Sequence, residues 1–205
     1  MATSVPVQFL FDFGSPNAYM CHRVIPRIEA RTGVLFEYVP ILLGGLFKLT
    51  GNRSPAEAFA GIPHKRTYDK LEIARFVAKH GLDRYRPNPH WPVNTLQVMR
   101  GAVAAQKQGC FERYVEVVNV AMWEEGLNMQ DPDTIVRALD AAGLDGRRLY
   151  DGTQDPEVKS VLLANTQAAH DRGAFGSPSF FVGQELFFRK DRMREVEEEI
   201  VRLST

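Results

Sequence analysis

The chain has 205 residues, with 25 Lys plus Arg against 25 Asp plus Glu, so its formal charge at pH 7 is zero. Such a balance offers no basic field for nucleic acid, and no apolar run reaches the length of a membrane span. The length accommodates one domain or a domain with a large insertion, and a composition that is 44% hydrophobic supplies a core. Met1-Ala2-Thr3-Ser4 passes straight into a strand pattern, without the basic and apolar regions of a secretory leader. A cytoplasmic protein is the expectation.

Val7 to Phe11 is apolar and aromatic and reads as a buried strand. Asp12 to Gly14 is a turn. Ser15-Pro16 then opens a helix to about Arg31, with Ser as N-cap and Pro in the first turn. Pro26 lies inside this helix and is expected to kink it, and Thr32-Gly33 ends it. Val34 to Val39 is a second strand, closed by Pro40. Strand, helix and strand at this spacing imply a parallel pair with a right-handed crossover. Leu42 to Pro55 is glycine-rich but lacks the spacing of a phosphate loop, and reads as a mobile segment over a pocket.

Helical patterns follow over His64–His80, Asn94–Gly109, Phe111–Glu125, Asp131–Gly143 and Glu157–Arg172, with an irregular stretch around Trp91 between Pro87 and Pro92. Ser179 to Val182 and Glu185 to Phe188 form a hairpin around Gly183-Gln184. A last helix covers Met193 to Leu203. Cys21 and Cys110 sit singly in helical patterns and read as packing residues. The five histidines, at 22, 64, 80, 90 and 170, show no metal-ligand spacing.

The order βαβ, helices, ββα is that of an α/β, thioredoxin-like domain with a large all-helical insertion. Residues 1–62 and 174–205 would form the first and 63–173 the second. The strand, turn and helix around Ser15 resemble the opening of the thioredoxin fold, where a Cys-x-x-Cys pair starts the helix. Here those four positions read Ser15-Pro16-Asn17-Ala18. Without sulfur the chain has neither the attacking nor the resolving thiolate of a dithiol oxidoreductase. The Ser15 hydroxyl serves as a helix cap, and it can also donate to a thiolate carried by a ligand at the positive end of the helix.

Several segments together resemble one family, the 2-hydroxychromene-2-carboxylate isomerases and kappa-class glutathione transferases related to DsbA. They are Phe11-Asp12-Phe13-Gly14-Ser15-Pro16-Asn17-Ala18-Tyr19, Gly51-Asn52, Lys65-x-x-Tyr68, Pro92-Val93-Asn94-Thr95-Leu96, Phe175 to Val182, and Asp191-Arg192. They run nearly end to end in the family's order. The resemblance implies glutathione as cofactor, a homodimer and a small aromatic carboxylate as substrate. It makes Ser15 the catalytic residue, holding the glutathione sulfur as thiolate. Ser177 and Pro178 would bind the cysteinyl unit through a cis-proline turn, and Lys190, Asp191 and Arg192 would bind the γ-glutamyl end. Arg189 and Lys190 depart from the glycine and amide residue usual before the family's Asp-Arg.

Lys48, Asn52, Lys65, Tyr68 and Asn94 are the polar residues suited to a substrate carboxylate and phenolic oxygen, with Trp91, Phe47 and Phe59 as cover for a ring. Each also reads as an ordinary surface charge or core aromatic. The implied reaction interconverts 2-hydroxychromene-2-carboxylate and trans-o-hydroxybenzylidenepyruvate. Thiolate addition turns a double bond into a single bond, rotation follows, and elimination restores glutathione. The alternatives are a transferase that conjugates glutathione to electrophiles, and a non-catalytic module that binds glutathione or a peptide.

Overall fold

The structure, a computed structural model, describes residues 5–204. β1 (Val7–Phe11), α1 (Pro16–Thr32) and β2 (Glu37–Pro40) form the first unit, with β1 and β2 parallel and Phe9 opposite Tyr38. α2 (Leu43–Thr50), α3 (Pro55–Ala58), α4 (Lys65–His80), α5 (Leu96–Lys107), α6 (Phe111–Trp123), α7 (Pro132–Ala141), α8 (Gly146–Gly152) and α9 (Pro156–Asp171) follow. β3 (Ser179–Val182), β4 (Glu185–Phe188), a 3-10 turn (Lys190–Arg192) and α10 (Met193–Ser204) complete the described chain. The sheet order is β2-β1-β3-β4, with β3 antiparallel to both β1 and β4. This is the thioredoxin-like, DsbA-type arrangement.

Alternation along the strands sends side chains to two cores. Val7, Phe9, Phe11, Phe180 and Val182 join α1, α5, α6 and α10 in the larger one. Leu10 and Phe181 point the other way, to Ile41, Leu46, Ala169 and Ala174. Both faces of the sheet are therefore covered, and α9, late in the helical segment, packs directly on β2 and α2.

Two local readings change. The glycine-rich stretch expected to be a mobile loop forms α2, anchored by the fully buried Leu46. Glycine weakens a helix in isolation, but burial of Leu46 between the sheet and α9 outweighs that. The short α8 has no amphipathic period long enough to be read from sequence. Its start is capped by Asp145, whose side chain accepts from Arg148 N at 2.9 Å. α1 runs through Pro26, which lies on its exposed face. Cys21 and Cys110 are both free, the first buried and the second partly so. Among the described residues no helix is long and apolar enough to cross a membrane.

Candidate active site

Ser15 sits at the N-cap of α1, 5% exposed, with extended backbone. Its hydroxyl accepts from Ala18 N at 3.3 Å and donates to the Ser177 carbonyl at 2.9 Å. Ser177 Oγ in turn accepts from Asp12 N at 3.0 Å, and the Ser177–Pro178 bond is cis. The two loops are thus stitched together in both directions at the end of β1. Ser177 N makes no hydrogen bond among the described residues, which leaves a donor beside the Ser15 hydroxyl. In the first turn of the helix, Asn17 Oδ1 is shielded from solvent and accepts no hydrogen bond among the described residues.

The turn before Ser15 is held from every side. Asp12 is 1% exposed, and its carboxylate accepts from Gly14 N and from Leu43 N, both at 2.8 Å. Burial pushes the Asp12 carboxyl above its ordinary value, and the bonds from Leu43, Gly14 and Thr95 only partly oppose that. A Cβ on Gly14 would lie 3.1 Å from Thr95 Cγ2 and 3.3 Å from Asp12 Oδ1, so glycine is what permits this close approach. Trp91 Nε1 donates to Gly14 O at 3.0 Å and Trp123 Nε1 to Phe13 O at 2.8 Å. Phe13 N donates to Met99 Sδ at 3.4 Å. Sequence reading missed Asp12, Thr95, Met99 and Trp123 as supports. The one local signal was a carboxylate directly ahead of the turn, since the partners lie far along the chain.

The other expected residues divide. Asn52 donates from Nδ2 to Phe175 O at 2.9 Å, tying the loop after α2 to the segment that leads into Ser177. Lys48 stands exposed on α2 without an ion pair among the described residues. Lys65 pairs with Asp69 on its own helix, and its ammonium lies over the Phe59 ring at 5.1 Å, while Tyr68 is 54% exposed. Asn94 Oδ1 accepts from Leu96 N at 3.1 Å, so its side chain serves the start of α5.

At the far end, Arg189 N donates to Pro178 O at 3.0 Å, which places the 3-10 turn beside the cis-proline loop. Arg189 has φ 74° and ψ 163°, a backbone region otherwise occupied by glycine. Asp191 bonds Lys190, and its second oxygen lies 3.9 Å from Arg189 Nε. Arg192 pairs with Glu195 in the next turn. Lys190 is 2% exposed and faces inward, with its ammonium 5.1 Å from the Phe76 ring centre.

This geometry gives a hydroxyl donor, free backbone and side-chain polar groups, and the positive end of a 17-residue helix at one point. It can favour an anion there. Comparison with known proteins bears on the whole chain. The chain is 25% identical over 189 residues to a 2-hydroxychromene-2-carboxylate isomerase of Sphingobium xenophagum, covering 91% of this chain and 93% of that protein. It is 26% identical over 200 residues to glutathione S-transferase kappa 1 of Caenorhabditis elegans, covering 91% and 86%. A solved 2-hydroxychromene-2-carboxylate isomerase superposes with a TM-score of 0.83 at 24% identity, over 96% of this chain and 95% of the other. Residues 6–201 match the model of the DSBA-like thioredoxin domain, and the chain belongs to that family.

Proposed function

We propose that the protein is a glutathione-dependent isomerase that interconverts 2-hydroxychromene-2-carboxylate and trans-o-hydroxybenzylidenepyruvate. The observation that carries the reading is the Ser15 hydroxyl at the start of α1, 2.9 Å from the Ser177 carbonyl, where a dithiol enzyme would carry its first sulfur. The residues fit the thiol end of glutathione. The unbonded Ser177 N and the shielded, unpartnered Asn17 Oδ1 are suited to the amides of an extended peptide. The γ-glutamyl end fits less simply, because Asp191 already holds Lys190 and a ligand ammonium would share that carboxylate.

Bound glutathione would supply a thiolate whose reversible addition makes the conjugated double bond of the substrate rotatable. Ser15 turns its O–H from the Ser177 carbonyl to the sulfur, and with the α1 N-terminus it favours the charged form. It is not read as a nucleophile, since among the described residues no base hydrogen-bonds its hydroxyl, whose partners are Ser177 O and Ala18 N. His22, the nearest histidine in sequence, is bonded to Tyr38 and Glu116. Asp12 and Trp91 hold the turn so that the hydroxyl keeps its aim. The exposed Lys48 offers a cation to the substrate carboxylate, and the Trp91 indole offers a ring face.

The test is direct assay of the purified protein with glutathione and the chromene carboxylate, beside a standard electrophile. Glutathione-dependent isomerisation supports the reading, and turnover of the electrophile alone replaces it with the transferase. The near-equal identity to both kinds of relative keeps that second reading in view. Failure to bind glutathione at all removes both. A homodimer belongs to the same proposal, with the exposed Tyr68 and Leu71 of α4 as the face that would be covered. Light scattering of the eluted protein reads its mass.

A further inference from the structure

We propose that the two tryptophans of the chain, Trp91 and Trp123, are positioning residues that hold both carbonyl oxygens ahead of Ser15 away from the ligand, so that the start of α1 meets an anion with donors alone. This deepens the reading of Ser15 as the donor to a thiolate and rests on it.

Each peptide group of the turn is held at both of its ends. In the Phe13–Gly14 group, the oxygen accepts from Trp123 Nε1 at 2.8 Å and the N–H donates to Asp12 Oδ1 at 2.8 Å. In the Gly14–Ser15 group, the oxygen accepts from Trp91 Nε1 at 3.0 Å and Ser15 N donates to the Asp12 carbonyl at 3.0 Å. Asp12 thus takes the two N–H groups and the indoles take the two oxygens. The chain has two tryptophans, and both make this bond.

A carbonyl oxygen is the negative end of a peptide dipole, and one left beside a thiolate would disfavour the charged form. An unpaired oxygen would also compete for the Ser15 hydroxyl, whose single proton goes to Ser177 O. Trp123 ends α6 and is 2% exposed, so its bond draws Phe13 O into the core. Trp91 is 39% exposed, and its bond fixes the oxygen next to Ser15. The two are braced together. Asn88, 6% exposed, donates from Nδ2 to Met122 O at 2.9 Å, and its own carbonyl accepts from Trp91 N at 3.2 Å. The preference of the turn after β1 for an anion is thus set from the helical part of the chain between β2 and β3.

The test needs a thiol at the cap and the loss of an indole N–H with nothing else changed. Ser15→Cys in a Cys110→Ser background supplies the thiol, with the buried Cys21 as the other cysteine. 3-Benzothienylalanine, which carries sulfur in place of the indole N–H, replaces Trp123 or Trp91. 5-Fluorotryptophan keeps the N–H and is the control. The alkylation rate of the new thiol against pH gives its pKa. With both tryptophans in place it is expected below the roughly 8.5 of a free cysteine. With benzothienylalanine for Trp123 it is expected to rise by roughly 0.5 or more, and with fluorotryptophan to stay unchanged. In the chain that keeps Ser15, given glutathione and the chromene carboxylate, benzothienylalanine for Trp123 is expected to lower kcat roughly tenfold, as loss of an orienting partner does, with KM unchanged. Replacement of the half-exposed Trp91 gives the same thiol reading if the protein altered at Trp123 folds poorly. A thiol pKa equal in the tryptophan and benzothienylalanine proteins overturns the proposal. So does an equal rise with fluorotryptophan, which would assign the effect to ring packing. Absence of glutathione-dependent turnover in the unaltered chain removes the isomerase instead, and the thiol readings still decide the role of the tryptophans.

Discussion

At the scale of single residues, the site depends on one hydroxyl and one buried carboxylate. Ser15 donates into the Ser177 carbonyl, and removal of that donor leaves the helix end but not the directed bond to a thiolate. Ser15→Ala is expected to lower kcat roughly a hundredfold, in line with loss of one preorganised donor. The pKa of the bound thiol should rise, read as thiolate absorbance against pH. An unchanged kcat and pH profile would return Ser15 to being a cap. Asp12 acts one step behind, since its two carboxylate oxygens receive Gly14 N and Leu43 N. Asp12→Asn faces one of those N–H groups with an amide donor and is expected to cost about 1–3 kcal/mol. Denaturant unfolding measures that loss. The mispositioned turn should also lower kcat more than it raises KM.

At the scale of elements, the start of α1 is a thioredoxin-type helix terminus that lacks its sulfurs. Pro16 occupies the first turn, Ser15 the cap and the buried Ala18 the fourth position of the motif. The double variant Ser15→Cys, Ala18→Cys should therefore form a disulfide on oxidation. Its first thiol should titrate below the roughly 8.5 of a free cysteine, because the helix end favours the thiolate. Thiol alkylation rates against pH test this, and an ordinary profile would mean that the helix end contributes little. The crossing of α5 and α6 shows how a glycine can set a packing distance. A Cβ at Gly101 would come within 2.1 Å of Tyr114 Oη, the hydroxyl that donates to Val98 O at 3.0 Å. Gly101→Ala is expected to cost about 1–3 kcal/mol through overpacking. For a chain of this length that lowers Tm by about 2–4 °C per kcal/mol.

At the scale of the whole molecule, an ion cluster joins the sheet and α1 to the intervening helices. Glu116 of α6 accepts from Arg23 at 2.8 Å and meets His22 Nε2 at 3.1 Å, and His22 also contacts the Tyr38 hydroxyl at 2.9 Å. The His22 bond and then Arg23 hold the Glu116 carboxyl down to about 2, from an ordinary 4.5. A carboxyl lowered by folding stabilises the protein above its unfolded pKa and loses that contribution as pH falls through the folded one. The stability difference between wild type and Glu116→Gln should thus be full above pH 4.5 and shrink as pH falls toward 2. Denaturant titrations across that window read it, and a difference independent of pH would assign the cluster no electrostatic role.

Read alone, the sequence carries the order of the strands and of the longer helices, the turn and cap at Ser15, and the hairpin at Gly183, because periodicity and capping are local properties of the chain. It also carried the family, through short motifs in a set order. Tertiary packing makes part of the glycine-rich stretch a helix, since Leu46 needs the sheet and α9 to bury it. It alone joined Asp12 to Leu43 and Thr95, and turned Lys190 inward to Phe76. Those partners lie from 31 to 114 positions away in the chain. Contacts at such separations are chosen by packing and by the need to satisfy buried polar groups, which no local pattern records.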